Sequence, residues 1–170
     1  MKQTYTDSSL NKNAPGQLMQ LVGFVIGKDR FALDILMVQE IMKTTIITNL
    51  PNSPDFIEGV INLRGSIIPV IDLSRRLDLP SSGDGIASKT RIIITNVNDQ
   101  ITGFMVDSVS KVLKIQENSI EPPPEIVTAG LESQYIFGVC EIDERLVTIL
   151  DFSRILEAGE IKRLKNLSEN

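Results

Sequence analysis

Arg64 is one side chain in this sequence that could serve recognition. It sits in Asn62-Leu63-Arg64-Gly65, between two apolar runs. A guanidinium presents five donors in a planar fork, which suits a carboxylate or a set of carbonyls. Gly65 supplies the positive φ of a tight turn, so an ordinary turn explains the pair as readily as recognition does. The other candidates for chemistry are few. Asp72 and Asp151 precede similar Ser-Arg strings, and this reads as helix capping rather than a catalytic carboxylate pair. Arg75 and Arg154, on the turns that follow, read as solvated cations. The chain contains no His, which removes the usual general base, the Ser-His-Asp triad and His-containing metal sites. Its one Cys, Cys140, lies in an apolar run; it reads as an inert buried thiol, and one Cys permits neither an internal disulfide nor a zinc cluster. No cofactor or metal site is expected.

The elements that position these residues occur twice. Residues 56–77, FIEGVINLRGSIIPVIDLSRRL, align without a gap on residues 135–156, YIFGVCEIDERLVTILDFSRIL, 79 positions on. Seven of 22 positions are identical: Ile57/Ile136, Gly59/Gly138, Val60/Val139, Asp72/Asp151, Ser74/Ser153, Arg75/Arg154 and Leu77/Leu156. Chance would give about one or two. The framework repeats, but the tip does not: Asn62-Leu63-Arg64-Gly65 stands against Glu141-Ile142-Asp143-Glu144. A difference confined to a turn suggests specialisation. Gly59 and Gly138 read as tight bends or bulges.

Strand-like runs at 18–26 and 31–35 make a hairpin across Gly27-Lys28-Asp29-Arg30, and 91–97 with 101–107 make its counterpart. LMVQEIMK (36–43), strand or short helical turn, is answered by SVSKVLKI (108–115), with Val38-Gln39-Glu40-Ile41 over Val109-Ser110-Lys111-Val112. Pro69 is expected at a sheet edge or bulge. Residues 47–59 and 121–134 read as irregular connections, and 79–90 as a linker. Five short strands per half close naturally into a small barrel. The expected fold is mainly β: two small five-stranded β-barrels related by a pseudo-two-fold axis, with short helical turns and a C-terminal helix. The expected boundaries are a disordered tail at 1–16, one domain over 17–157 and a helical tail over 158–170. Within the domain, the first barrel is expected at about 35–85, with strand exchange, and the second at about 90–150.

A net charge of −5 argues against nucleic acid, which needs clustered Lys and Arg. The polar N-terminus lacks the apolar centre of a signal peptide, and no run approaches a membrane span. A cytoplasmic protein without direct membrane insertion is expected. A small-barrel nucleic-acid binder is the distant alternative; the absence of Trp leaves it short of stacking platforms.

FIEGVINLRGSIIPVIDL strongly resembles the signature segment of the CheW family, the coupling proteins of bacterial chemotaxis; DILMVQEI (34–41) and FMVDSVSKVL (104–113) also fit. The resemblance spans about residues 18–157. It implies two five-stranded barrels and no enzyme activity. It implies an adaptor that bridges the cytoplasmic tip of a chemoreceptor to the regulatory domain of the histidine kinase CheA, with receptor helices in the groove between the barrels, kinase contacts at exposed apolar barrel ends, and self-association in array rings. By motif match it assigns Val38, Glu40, Gly59, Asn62, Leu63, Arg64 and Gly65 to receptor binding, and no kinase-contact residue. An adaptor for a pilus-motility or other chemosensory array, or a shortened form of CheV, fits the same motifs; no receiver-like βα repeat is present for full CheV. Because Glu40 and Arg64 both lie in family-matching segments, an ion pair between them is expected to hold the 62–66 tip. Lys111 and Asp143, the counterparts with exchanged signs, are expected to pair in the second half.

Overall fold

The computed structural model describes residues 17–80 and 87–169. The expected disordered tail, and the Ser/Gly-rich centre of the linker, lie outside the described residues. Ten strands form two five-stranded sheets. They are β1 (Leu18–Ile26), β2 (Asp29–Asp34), β3 (Val38–Lys43), β4 (Ile57–Leu63), β5 (Ser66–Asp72), β6 (Arg91–Val97), β7 (Gln100–Val106), β8 (Ser108–Gln116), β9 (Ile136–Ile142) and β10 (Arg145–Leu150). Three helices accompany them: α1 (Leu73–Arg76), α2 (Glu125–Thr128) and α3 (Ala158–Glu169). The mainly β class, the two five-stranded units and the C-terminal helix agree with the sequence expectation. Segment 36–43 turns out to be both things it could be, a 3-10 turn at Ile35–Met37 and then β3. The connection over 121–134 is less irregular than expected, since it carries α2.

The sheets run β8-β1-β2-β10-β9 and β3-β6-β7-β5-β4. Hairpin β1–β2 therefore belongs with β8–β10, and hairpin β6–β7 with β3–β5. The expected strand exchange is present, since each half donates its first hairpin to the other half's sheet, so β6–β7, inside the expected second barrel at about 90–150, lies in the first. The exchange is symmetrical in detail. β5 runs parallel to β7 (Val70 opposite Gly103), as β10 does to β2 (Ile149 opposite Ala32). Ile57 faces Ile71 and Gly59 faces Val70, leaving Glu58 as the extra residue of a bulge; 79 positions on, Ile136 faces Leu150 and Gly138 faces Ile149. The edge strands β3 and β8 are bulged at matching places, between Val38 and Glu40 and opposite Val22 and Phe24. The gapped alignment of 38–41 on 109–112 thus has a counterpart in the hydrogen bonding.

Pro69 is neither at an edge nor at a bulge; β5 lies between β7 and β4. The missing N–H is tolerated for a local reason. Val60, opposite Pro69, directs both its backbone groups away, to Thr48 (2.8 and 2.9 Å). The ladder to β7 begins only at Val70. In the other sheet the matching residue is Thr148, which keeps its N–H, and there the ladder starts one position earlier, at Thr148 opposite Phe31.

The two glycines of the repeat have one role. A β-carbon on Gly59 would collide with the Thr48 carbonyl, and one on Gly138 with the Ile120 side chain. Each glycine lets a connecting segment cross the sheet margin closely enough to bridge it, Thr48 to Val60 and Glu121 to Val139. Both bridges cover what would otherwise be open strand edges. Neither sheet closes by backbone hydrogen bonds, because β3 and β4, and β8 and β9, remain unpaired with each other.

Each sheet wraps its own small core: Leu21, Ala32, Cys140, Val147 and Ile149 in one, and Ile61, Ile68, Val70, Ile92 and Ile94 in the other. A larger cluster is shared between them. Phe24 and Phe31 of one sheet, Phe152 after β10, and Phe104 of the other sheet form a chain of ring contacts with centroids 4.7 to 6.1 Å apart. These are favourable aromatic geometries, and they join the two barrels.

Candidate functional site

The hairpin β4–β5 ends in a two-residue turn with both central residues in the left-handed region, Arg64 at φ 51° and Gly65 at φ 91°. This turn type matches the twist of antiparallel strands. Asn62 fixes it, its Oδ1 accepting the Gly65 N–H at 2.9 Å. Leu63 is half-buried against the small core of its sheet. From this platform the Arg64 side chain, 71% exposed, forms a two-point ion pair with Glu40 on β3. β3 and β4 are the two outer strands of the sheet. The pair therefore links edges that no backbone ladder joins, and it closes one end of the barrel by side chains alone. The Arg64 hydrogen bond holds the Glu40 carboxyl below its usual range, against a smaller opposing effect of burial, and the Arg64 guanidinium is raised in turn.

The structure brings Glu40, Asn62, Leu63, Arg64 and Gly65 together. It does not bring Gly59 to the surface: that residue is buried beneath Thr48. Val38 is half-buried and packs against the inter-sheet core. Beside the tip lies an open cleft of about 610 Å³, lined by Gly65–Ile68, Asp99–Ile101 and Lys165 of α3.

The second tip repeats the backbone but not the chemistry. Asp143 and Glu144 take the same left-handed conformation, φ 53° and 64°. Lys111 and Asp143 do not pair, contrary to the expected exchange of charges. They flank an open cleft of about 430 Å³ floored by Phe24, Phe31, Leu113 and Val147.

Asp72 and Asp151 are caps, as expected. Their carboxylates accept the backbone N–H groups of Ser74 (3.1 Å) and Ser153 (3.0 Å), and each also pairs with the Arg three residues on. Arg75 is more than a solvated cation, since it also reaches Glu58 and the Asp55 carbonyl, both at 3.0 Å. Burial pushes the Cys140 thiol up, which suits an inert core residue and not a nucleophile.

Residues 20–160 match the family model of the CheW-like domain. The chain belongs to the CheW-like family. It is similar to the chemotaxis protein CheW of Klebsiella aerogenes, 34% identical over 97% of this chain and 96% of that protein. It is also similar to the CheW of Thermotoga maritima, 34% identical over 84% and 91% of the two chains. Among solved structures it resembles the scaffolding protein TtCheW of Thermoanaerobacter tengcongensis, with TM-score 0.77 and 37% identity over 88% of this chain and 94% of that one. The fold match takes in both five-stranded sheets. Among the described residues, no helix is long and apolar enough to cross a membrane.

One group escaped the sequence reading altogether. Arg76, on α1, lies at the junction of the two CheW-like halves. It donates to the Ile155 carbonyl and to Glu160 of α3, both at 2.8 Å. Its only sequence signal was negative: Arg76 faces Ile155 in the repeat alignment, a mismatch in a stretch where Ser74, Arg75 and Leu77 are all matched.

Proposed function

We propose that this protein is a non-catalytic cytoplasmic adaptor of a chemosensory array, recruited to membrane-associated receptors. It joins the cytoplasmic tip of a chemoreceptor to the regulatory domain of a CheA-type histidine kinase, and it also self-associates within array rings. Family membership supports the adaptor class. The observation that carries the receptor assignment is the Glu40–Arg64 pair, which holds an exposed, sequence-specialised turn in a fixed shape in one barrel only. A rigid tip loses little freedom on docking. Glu40, Asn62, Leu63, Arg64 and Gly65 make up the docking surface. Val38 and Gly59 support it from within, one through the inter-sheet core and the other by letting Thr48 cross β4.

The test uses the full chain with a purified receptor-tip fragment and a kinase regulatory domain. Glu40→Arg and Arg64→Glu are each expected to weaken receptor binding roughly tenfold while kinase binding is unchanged. The double reversal is expected to recover much of the loss. If the single reversals leave receptor binding intact, the docking assignment fails. If the wild type binds neither partner, the adaptor reading fails with it.

A further inference from the structure

We propose that Arg76 is the positioning residue that fixes the two barrels against each other, and that control of the kinase through this adaptor depends on it. The inference rests on the adaptor reading above. The guanidinium of Arg76 lies over two rings, 5.0 Å from the centroid of Phe56 and 5.8 Å from that of Tyr135. Those rings are themselves repeat partners, 79 positions apart, one preceding β4 and the other preceding β9. Their carbonyls do the same task, accepting the N–H groups of Asp72 and Asp151 at 2.9 Å. The Ile155 carbonyl that Arg76 binds belongs to its own repeat partner. Arg76 therefore sits where the two halves meet on their pseudo-symmetry axis.

That position explains why the repeat breaks there. Two guanidiniums facing each other there would bring like charges together in a part-buried site where one carboxylate, Glu160, bonds the guanidinium. The second half instead supplies Ile155, with no exposed surface, to the inter-sheet core. One planar fork then serves both halves. It also ties down α3: Glu160 accepts Arg76 with one oxygen, and with the other accepts the backbone N–H of Glu157 at 2.7 Å, at the start of that helix. Leu164 of α3 is fully buried in the same inter-sheet cluster. The side chains of Arg76 and Glu160 are only 13% and 19% exposed, so water screens this pair far less than the Arg64 pair at the tip.

An adaptor that binds a receptor on one surface and a kinase on another transmits a signal only if the two surfaces keep a defined relation. Among the side chains described here, Arg76 bonds or stacks on segments of both barrels and on α3 at once. Loss of the fork would leave each binding surface intact on its own barrel and the shared aromatic core in place, while loosening the α1–α3 side of the junction and widening the spread of inter-barrel angles.

The experiment compares Arg76→Met, Arg76→Lys and Val147→Ala in the full chain. Val147→Ala is a truncation in the small core of one barrel, outside the cluster shared between the barrels, and serves as a stability control at matched folded fraction. Arg76→Met is expected to bind the receptor fragment and the kinase domain singly within about twofold of wild type, while ternary kinase activation falls about tenfold. Arg76→Lys, which keeps the charge but not the fork, is expected to fall between them, and Val147→Ala to activate normally. Spin labels at Lys43→Cys and Lys114→Cys, on the two sheets, give a readout independent of any partner; their distance distribution is expected to broaden in Arg76→Met. Normal activation by Arg76→Met, or an unchanged distance distribution, overturns the inference. A wild type that fails to assemble overturns the adaptor reading instead, and an unchanged distance distribution still decides the positioning role by itself.

Discussion

The two barrels share one framework and differ in how each is finished. In the barrel of β3–β7, Glu40 and Arg64 join the outer strands across the gap the backbone leaves. In the barrel of β1, β2 and β8–β10, the corresponding Lys111 and Asp143 stay apart, and the gap remains an open cleft. The turns beneath them are alike in φ, but one places Gly65 where the other places Glu144. A left-handed conformation costs a glycine nothing and costs other residues some strain. The repeat thus covers the parts that fold a barrel, namely capping Asp, bulge and crossing glycine, and the tips differ.

The largest test of that shared framework is the crossing glycine. Gly59→Ala places a β-carbon against the backbone carbonyl of Thr48, which cannot move without breaking the bridge to Val60. Gly138→Ala meets first a methyl group of Ile120, which can rotate. Urea unfolding is expected to show a loss of about 2–4 kcal/mol for Gly59→Ala and about 1–2 kcal/mol for Gly138→Ala. Equal losses, or the reverse order, would mean that the two crossings are not the same device.

Next in size is the proline asymmetry. Thr148→Pro copies into β10 the residue that β5 carries at position 69, but at a place where β2 is already paired. A loss of about 1–3 kcal/mol is expected from the broken ladder and the group it leaves unpaired. A neutral result would show that the extra parallel pair opposite Phe31 contributes little, and that the barrels tolerate Pro equally.

How much of this was legible beforehand follows from what each signal encodes. The 79-position repeat foretold the bulge at the repeated glycines and the capping by Asp72 and Asp151, because those depend on local spacing. Strand exchange between the barrels was expected, but that whole hairpins β1–β2 and β6–β7 cross was not read, for a physical reason. Alternation says which face of a strand is buried, not which partner it pairs with, and two copies of one pattern fit either sheet. The Glu40–Arg64 contact was reachable because both residues lie in segments that match the family. The matching Lys111–Asp143 guess failed because sign alone does not set side-chain reach. Arg76 was not singled out. Its rings and carbonyl come from residues 20 to 79 positions away, and no local pattern marks such a junction.

A smaller effect tests whether closure of the first barrel can be moved to the second. Lys111→Glu with Asp143→Arg installs the same two residue types at the equivalent positions. The change is expected to alter stability by no more than about 0.5 kcal/mol, as exposed pairs do, and to leave receptor-fragment affinity unchanged. A gain of receptor binding at the second tip would show that the pair alone, without Asn62 and Gly65, makes a docking surface.

The smallest effect concerns the proton that Glu40 does not take up. Its carboxyl is depressed in the folded protein, chiefly by the Arg64 hydrogen bond, and lies near the ordinary value of about 4.3 in the unfolded chain. A group of that kind contributes fully above its unfolded value and loses the contribution as pH falls through the depressed folded value. The contribution of the pair to stability is therefore expected to be flat from neutrality down to about pH 5 and to fall only below the ordinary carboxylate range. A carboxyl-detected NMR titration of Glu40 should show the same low midpoint. Because Arg64 is largely exposed, added salt should move that midpoint back toward the ordinary value, and Arg64→Gln should move it there directly. A Glu40 midpoint at the ordinary value in low salt would mean that the pair does not hold in solution. The first barrel would then be as open as the second, and the difference between the two tips would rest on Asn62 and Gly65 alone.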